Sequence, residues 1–368
     1  MIRILVPPLD PTSSSVHAQR MQQRFFDELG FSIQQREDVK RAARQITDAK
    51  HHARLNAELR AAIANRDEKT AGALLFEGLQ TFGPTYPLYL IQSCYDCVCS
   101  LYDALSIDNA IRIATLKDIQ LWTDTYAQAH QQQTGLTQVF WIARHLCARI
   151  LRLGRLQFEL KSLGSPVRVY KQKETGVLLA IAEANLACDQ EGYLADREKA
   201  AFVTTLQEEA SVLTAHTIDC QSGSIAQTPL RFETTSLSFL ADSQTKVLHM
   251  HIPSGDKLSR EVVDDSLLQA KTFFPTHSLV FCTSWLIDPA LKQVAEPSSN
   301  IVCFMQRFSK FPVPFQTPQI FERVFSFTAT EQDIPAWKAT TSLQRSVQTA
   351  LSLGVVFRTM GGYVLLEK

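Results

Sequence analysis

The chain has 368 residues, of which 45% are hydrophobic and 20% are charged, a composition typical of globular proteins with ample material for a core. Its length predicts two or three domains, or one large domain with an appendage. Lys and Arg together number 37, as do Asp and Glu, so the zero net charge provides no overall attraction to nucleic acid or to an anionic membrane.

The N-terminal part of the chain, about 150 residues long, is predicted to be helical. Its first residues, MIRILVPPLDPTSSS, have too short an apolar run for a signal peptide, and no later run is long enough to span a bilayer. Apolar residues recur at helical spacing in QRMQQRFFDELGF, where Gly30 is expected to end a helix, and in ATLKDIQLWTDTYAQAH. The segments LYLIQSCYDCVCSLYDAL and TGLTQVFWIARHLCARILRLG predict further helices, the second ending at Gly154.

The eight cysteines are too sparse for a disulfide framework, which favours reduced thiols and a cytoplasmic location. Cys94, Cys97 and Cys99 form a C-x2-C-x-C pattern, but no second Cys or His pair follows it and the surrounding helix is apolar. We therefore interpret them as small core residues, with a thiol site as the less favoured alternative.

The pattern changes near Gly154, where short apolar or alternating runs separated by Gly and Pro predict strands. These runs are RLQFELK, PVRVYKQ, GVLLAIAEA, LRFETTSLSF and KVLHMHIP, with a helix predicted in DREKAAFVTTLQEEASVL. The elements predicted next are a helix over residues 259–274, a strand SLVFCTSWLI, a short helix DPALKQVA, strands NIVCFMQRF and RVFSFTA, a helix TSLQRSVQTALSLG and a last strand VVFRTMGGYVLL. The sequence thus predicts an α+β protein, with an all-helical domain over residues 1–153 and a mixed-sheet domain with flanking helices over residues 154–368.

The stretch LHMHIPSGDKLSREVVDDSLLQAKTFF joins a strand to an amphipathic helix through a short turn. Gly255 permits a tight turn, Ser259 stands where an N-cap is expected, and Glu261 follows in the first helical turn. A helix N-terminus of this kind can bind a phosphate, although a phosphate-binding loop usually carries more than one Gly. An ordinary strand-to-helix turn is the alternative.

Two histidines alternate with apolar residues at the end of the strand that precedes this turn. His249 and His251 therefore share one face of the strand. Because no third ligand follows at metal spacing, we predict no metal site and interpret the pair as a polar face lining a groove.

The segment FCTSWLIDPAL places polar residues at the end of a predicted central strand, where related folds locate their chemistry. Cys282 and Ser284 share one face, and Asp288 begins a helix before a proline. Ser284 lacks a G-x-S-x-G elbow and Cys282 has no base nearby in sequence, so covalent catalysis is the weaker form of an active-site interpretation.

The order of elements over residues 246–327 resembles the second half of the GNAT (N-acetyltransferase-like) fold. The segments HIPSGDKLSREVVDDSLLQAKTFFP, FCTSWLIDPAL, SNIVCFMQRF and TSLQRSVQTALSLG, with TLKDIQLW and ILRLGRLQFEL before them, resemble a bacterial family of acyltransferase domain-containing proteins. That family combines a helical N-acyltransferase N-terminal domain with a GNAT-like C-terminal domain. The resemblance implies a small-molecule donor, acyl-CoA or acetyl-CoA, as co-substrate and direct transfer of the acyl group to the amine or hydroxyl of an unknown acceptor.

In the GNAT fold the turn and helix after the fourth strand hold the pyrophosphate of CoA, and the fourth and fifth strands splay to admit the pantetheine. Carried over to this sequence, the CoA-binding residues would be Ser254, Gly255, Lys257 and Ser259. The usual R/Q-x-x-G-x-G/A cradle is replaced here by IPSGDKLS, which departs from the family pattern at the cofactor site.

The resemblance also implies catalytic roles. His251 is the first choice for the base, because imidazole titrates near neutral pH, and a backbone N–H near it would stabilise the oxyanion. Ser284 would protonate the leaving thiol, and Asp288 and Glu159 are reserve carboxylates. A hydrogen-bonded polar pair of His251 and Ser284 that closes the sheet is the alternative.

A second functional hypothesis is a catalytically inactive GNAT-like binding or regulatory module, with the helical part as a docking surface. An enzyme requires an open gap between the fourth and fifth strands, whereas in an inactive module Met250, Trp285 or Phe304 would fill it. An exposed sheet edge near the last strands would also allow a homodimer.

Overall fold

The computed structural model describes residues 11–314, 317–326 and 328–366, and it divides into two compact units with the boundary between Leu153 and Gly154. The α+β organisation predicted from the sequence is confirmed, with helices in the first unit and mixed sheets in the second. The prediction that residues 1–15 are not a signal peptide falls largely on residues outside the described part of the chain.

The N-terminal unit contains α1 (Pro11–Leu29), α2 (Ile33–Arg44), α3 (Ala49–Ala64), α4 (Glu68–Phe82), α5 (Tyr86–Ser93), α6 (Tyr95–Ala104), α7 (Asn109–Leu116), α8 (Asp118–Ala129), α9 (Val139–Leu146) and a strand β1 (Ile150–Leu153). Gly30 follows α1 with a φ of +82°, as expected for a glycine that ends a helix. Ser32, Asp48, Asp67 and Asp108 each accept a backbone N–H at the start of the following helix.

Two predicted helices of this unit are shorter than expected. LYLIQSCYDCVCSLYDAL is interrupted at Cys94, which separates α5 from α6. The helix predicted to reach Gly154 ends at Leu146, because Ala148 adopts a φ of +50° and reverses the backbone before β1. A left-handed alanine carries no glycine signal, so the sequence pattern gave no sign of this helix end.

A buried ion pair joins three helices of the N-terminal unit. The guanidinium of Arg112 on α7 is fully buried and contacts both carboxylate oxygens of Glu28 on α1, at 2.9 and 3.0 Å. The hydroxyl of Tyr95 on α6 lies 2.7 Å from Arg112 and also contacts Glu28. Each buried charge is therefore paired and hydrogen-bonded, which makes its burial tolerable.

The strands of the C-terminal unit are β2 (Leu156–Ser162), β3 (Val167–Gln172), β4 (Leu178–Ala182), β5 (Ala187–Cys188), β6 (Phe202–Val203), β7 (Leu206–Glu209), β8 (Val212–Ala215), β9 (Thr217–Ile218), β10 (Leu230–Glu233), β11 (Leu237–Ala241), β12 (Lys246–His251), β13 (Leu279–Ser284), β14 (Ser309–Pro312) and β15 (Met360–Leu365). Its α-helices are α10 (Arg260–Phe273), α11 (Asn300–Gln306), α12 (Gln319–Val324) and α13 (Ser342–Ser352). Shorter 3₁₀ turns cover Arg197–Lys199, Thr234–Ser236, Trp285–Ile287, Pro289–Gln293 and Glu331–Ala336.

The main sheet of this unit carries the strands in the order β2, β12, β13, β15, β14. Neighbouring strands in this sheet are antiparallel except β12 and β13, which are parallel and connected through α10. One face, with Val247, Phe281 and Tyr363, packs in a common core with β3 and β4 of a second sheet ordered β11, β3, β4, β9. The β12–α10–β13 crossover thus lies at the centre of the main sheet.

Two glycines in β15 make room for aromatic side chains from β14 and the segment before it. A Cβ atom on Gly361 would lie 2.3 Å from ring carbons of Phe311 on β14, and one on Gly362 would lie 2.8 Å from Phe308. The lack of side chains at these two positions of β15 therefore lets the Phe311 ring pack against the strand with which β14 pairs.

Four predicted segments differ from the structure. The strand predicted in LRFETTSLSF is divided by the turn Thr234–Ser236 into β10 and β11, which belong to different sheets. The helix predicted in DREKAAFVTTLQEEASVL is wrong, because residues 206–215 form the hairpin of β7 and β8, with Ala210 at a φ of +52° in the turn. The strand predicted in NIVCFMQRF is also wrong: Ser299 accepts the N–H of Val302 and begins α11, which packs its apolar side chains into a helical cluster. Both errors reflect tertiary packing that overrides local propensity.

The predicted strand RVFSFTA begins inside α12 and includes residue 327, which lies outside the described residues. In its place the sheet is completed by β14, an edge strand that ends in Pro312 and has no counterpart among the predicted strands. Proline is tolerated there because an edge strand has a side without a ladder.

Candidate active site

The two parallel strands at the centre of the main sheet separate at their carboxyl ends. Their ladder has two pairs, Leu248 with Val280 and His249 with Phe281. Yet β12 continues beside β2 to His251, and β13 continues beside β15 to Ser284, each through six pairs. Among the described residues, no pair joins β12 to β13 beyond His249 and Phe281, where each strand continues along its outer neighbour only.

A groove of about 400 Å³ lies where the strands separate. We call it the His251 groove, and it is lined by Lys161, Ser162, Leu163, Gly164, Ser165, His249, Met250, His251 and Thr283. Residues from both β12 and β13 thus contribute to its walls. Of the three side chains predicted to fill the gap in an inactive protein, Met250 lines this groove, and Trp285 and Phe304 do not.

Glu159 connects the histidine face of β12 to β2. It lies opposite His249 in the antiparallel register, so its side chain projects on the same face as His251. The Nε2 atom of His251 lies 3.5 Å from the Glu159 carboxylate, and the Nζ atom of Lys161 lies 3.6 Å from it. Glu159 is 10% exposed, so its negative charge acts in a partly dehydrated place and can orient and stabilise a protonated imidazole.

The two histidines have different surroundings. His249 donates from Nε2 to the carbonyl oxygen of Ser162 at 3.1 Å, which fixes its ring against β2. His251 ends the strand at the mouth of the gap, with 25% of its side chain exposed. His251 is therefore the better placed of the two to exchange a proton with a bound molecule.

Ser284 is not brought to this face. Thr283 is exposed on the groove side of β13, so the next residue in the strand points to the opposite side. Ser284 is buried, and its hydroxyl oxygen accepts the N–H of Leu286 at 3.1 Å, where it caps the turn Trp285–Ile287. Thr283 is therefore the residue of β13 that lines the groove, in place of Ser284.

Asp288 lies beyond that turn and does not line the His251 groove. Its carboxylate accepts the N–H of Ala290 at 3.0 Å and the N–H of Arg358 at 2.6 Å. Burial raises the pKa of Asp288 to about 6 in spite of these two hydrogen bonds. It lines a different groove, of about 410 Å³.

The turn that follows β12 is exposed over residues 254–257. Gly255 adopts a φ of +126°, a conformation that other residues rarely adopt. Ser259 has the extended backbone of an N-cap, but its hydroxyl donates to the carboxylate of Glu261 at 2.7 Å and does not cap the helix. Arg155, which immediately precedes β2, contacts this turn, with Nε donating to the carbonyl of Asp256 at 2.8 Å.

Sequence reasoning did not single out Lys161 or Thr283 as groove residues. The signal for Lys161 was present in RLQFELK, where Gln157, Glu159 and Lys161 alternate with apolar residues and so share a face. Thr283 could have been found from the same alternation in FCTSW. Which faces meet depends on strand order, which neither segment contains.

The C-x2-C-x-C pattern has the core role that was the favoured interpretation. Cys94 and Cys99 are buried, and burial raises the pKa of Cys94 to about 12.

Among the residues that the structure describes there is no group of three or more His, Cys, Asp or Glu side chains arranged to hold a metal ion. Within the same residues, no helix is long and apolar enough to cross a membrane.

A central parallel strand–helix–strand unit within an otherwise antiparallel sheet is the arrangement of the GNAT-like fold. The comparison of sequences agrees: residues 150–364 match the family described as GNAT-like C-terminal domain, and residues 21–148 match the N-acyltransferase N-terminal domain. The chain belongs to this acyltransferase family, as the sequence resemblance implied. None of the curated proteins matches it.

Solved structures with a similar fold are also acyltransferases. One, in complex with decanoyl-CoA and teicoplanin, has a TM-score of 0.58 at 16% identity and covers 98% of this chain and 97% of its own. A mutant acyltransferase in complex with octanoyl-CoA gives a TM-score of 0.59 at 15% identity with the same coverage. An acyltransferase in complex with decanoyl-CoA gives 0.55 at 17% identity, with 99% and 90% covered. At these identities the likeness establishes a shared fold.

Proposed function

We propose that this protein transfers an acyl group from an acyl-CoA thioester to the amine or hydroxyl of a small acceptor. The observation that carries the proposal is the separation of β12 from β13 after His249 and Phe281. Such a gap has room for an extended chain between two strands, and its wall offers peptide groups from Met250 or His251 because N–H directions alternate along a strand. His251 stands at its mouth.

The reaction is a direct transfer. The acceptor attacks the thioester carbonyl carbon while His251 takes the proton that the acceptor loses, so a C–N or C–O bond forms. A main-chain N–H at the end of β12 stabilises the oxyanion, and Glu159 stabilises the imidazolium. The C–S bond then breaks, and the CoA thiolate takes up one proton, which balances the proton removed from the acceptor.

Thr283 takes the place beside the departing thiol that sequence reasoning gave to Ser284, since it is the exposed hydroxyl on the groove side of β13. Ser284 and Asp288 act by shaping the end of the strand, because their oxygens hold backbone N–H groups of the turns that follow.

The diphosphate of CoA would bind at the turn over residues 254–259. Backbone N–H groups at the start of α10 and the exposed ammonium of Lys257 supply positive charge, and Gly255 lets the main chain approach. Arg155 holds the turn in position through the carbonyl of Asp256. The complexes of similar structures with octanoyl-CoA and decanoyl-CoA make a medium-length acyl chain the first donor to test.

One observation favours the second candidate, a GNAT-like module that binds no CoA. Glu261 places a carboxylate in the first turn of α10, and the Ser259 hydroxyl that would donate to a phosphate donates to Glu261. A negative charge at this position weakens the attraction of the helix N-terminus for a second anion.

Calorimetric titration of the whole protein with acetyl-, octanoyl- and decanoyl-CoA separates the two candidates. We expect micromolar binding of at least one donor and its loss in Gly255→Pro, because proline cannot adopt a φ of +126°. The matched control is Gly176→Pro, at another exposed glycine of positive φ in the same unit. Thermal melts establish that both variants fold.

Absence of binding of all three donors to the wild-type protein would refute the enzyme proposal and support the inactive module. If binding occurs, decanoyl-CoA is incubated with amine-bearing acceptors, beginning with teicoplanin because a similar structure contains it. Mass spectrometry then detects the acylated product, which would identify the acceptor.

A further inference from the structure

A second groove in the C-terminal unit, with a volume of about 410 Å³, lies outside the proposed acyl-transfer chemistry. It is formed by the loop over residues 191–193, the turn Pro289–Gln293 and the segment over residues 353–358. Its volume falls in the range of small-molecule sites. The groove joins a charged end to an apolar rim, and both parts are needed to explain what it would bind.

The charged end contains a guanidinium held in a fixed orientation. The Cζ atom of Arg358 lies 3.7 Å from the ring centroid of Tyr193, so one face of the guanidinium is covered by the ring. Tyr193 is itself anchored, because its hydroxyl donates to the carbonyl of Ser222 at 3.1 Å. Glu191 lies 3.2 Å from one guanidinium nitrogen, and the remaining N–H edge can serve a carboxylate.

Two carboxylates line the same groove. Asp288 is 2% exposed and lines the groove, and its two oxygens each accept one backbone N–H. A carboxylate has about four acceptor positions, and these two backbone groups use two of them. Glu191 adds a second negative charge at the rim. One positive and two negative side chains suit a molecule that carries both an ammonium and a carboxylate.

The rim opposite the charged end is apolar. Leu353 is 78% exposed and Val356 is 58% exposed, and both line the groove together with Val355. Gly354 between them has a φ of +81°, which turns the chain so that its neighbours flank the opening. Exposed aliphatic side chains at the mouth of a polar groove provide a place for an apolar side chain of the ligand.

We propose that this groove is a binding site for a free α-amino acid with an apolar side chain. Its carboxylate pairs with the N–H edge of Arg358, its ammonium donates to Asp288 and Glu191, and its side chain packs on Leu353 and Val356. The site is separate from the His251 groove, and its occupancy requires no acyl-CoA.

The test is calorimetric titration of the whole protein, without CoA, with L-leucine and then with the other standard amino acids. We expect an apolar amino acid to bind, and its affinity to fall about tenfold or more when the carboxylate is removed, as in leucinamide, or the amine, as in 4-methylpentanoate. Arg358→Met should abolish binding, whereas Arg345→Met, an exposed arginine on α13, should leave it unchanged.

Binding of none of the amino acids at about 10 mM would overturn the proposal, because a built site of this size should reach at least millimolar affinity. Equal binding of leucine and leucinamide would overturn the assignment to Arg358. If Arg358→Met does not fold, Val356→Ser at an exposed position replaces it, with weaker binding of leucine expected and unchanged binding refuting the role of the rim. The acyl-CoA titrations are unaffected by any of these outcomes.

Discussion

Replacing Glu28 by Gln tests the buried ion pair of the N-terminal unit with a magnitude that follows from the structure. Burial alone would raise the pKa of Glu28, but hydrogen bonds from Arg112, Tyr95 and Arg24 outweigh it and lower the pKa to about 2. The difference from the ordinary value of 4.5, at 1.36 kcal/mol per unit, corresponds to about 3 kcal/mol of stability. Because Glu28 is only partly buried and solvent screens part of this interaction, Glu28→Gln should lower the free energy of unfolding by about 2–3 kcal/mol at pH 7, with the loss of the partner charge of Arg112 included.

The contribution of Glu28 to the free energy of unfolding should depend on pH. A carboxylate whose pKa is lowered by folding stabilises the folded state above pH 4.5, and this contribution disappears as the pH falls through about 2. At pH 3 less than half of it remains, so the difference in stability between wild type and Glu28→Gln should narrow by more than half between pH 7 and pH 3.

Urea unfolding followed by far-ultraviolet circular dichroism measures this difference in the helical N-terminal unit. The matched control is Glu58→Gln, which removes an exposed pair with Arg54 within one helix and should cost less than about 0.5 kcal/mol. A loss below about 1 kcal/mol for Glu28→Gln at pH 7, or a difference that does not narrow at pH 3, would show that the paired charge does not stabilise this unit.

Two further predictions concern the sheet and its gap. His251→Asn should lower the rate of CoA release in the presence of an acceptor by about 10²–10⁴-fold, measured by thiol detection. The affinity for decanoyl-CoA, measured by calorimetry, should stay within about twofold of the wild-type value. An equal loss of affinity would assign His251 to binding instead of proton transfer. Gly361→Ala should lower the free energy of unfolding by about 1–3 kcal/mol, because its Cβ would lie 2.3 Å from the Phe311 ring. Adding Phe311→Leu should recover part of this loss. If urea unfolding shows no recovery, the Phe311 ring is not the obstacle.

Local patterns were sufficient for much of the fold. The amphipathic helices α10 and α13 and the strands β2, β3, β4, β12 and β13 lie where periodicity predicted them, and Ser259 has the predicted N-cap position. The failures occur where a single backbone angle or a packing partner decides the structure. Ala148 and Ala210 turn the chain without a glycine, and the apolar run of α11 becomes a helix because its surroundings are helical.

The candidate site was also predicted from the sequence only in part. The sequence indicated His251 as a base and Glu159 as a reserve carboxylate, but their approach to 3.5 Å depends on β2 pairing with β12 in one register. Ser284 ends β13 as predicted, yet its side chain points away from the groove and caps a turn. Neighbouring residues of a strand point to opposite faces of the sheet, and the segment FCTSWLIDPAL does not indicate which of its faces lines the gap.

The sequence by itself determined the helical and mixed-sheet parts of the chain, the amphipathic helix after β12 and the shared face of the two histidines. These are properties of a few consecutive residues, set by backbone periodicity and turn chemistry. Only the tertiary structure decided that β12 and β13 separate after His249, that Glu159 reaches His251, and that Asp288 holds the backbone of Arg358 across 70 positions. Such contacts depend on which elements bury their apolar faces against each other, and that choice is made by the packing of the whole unit.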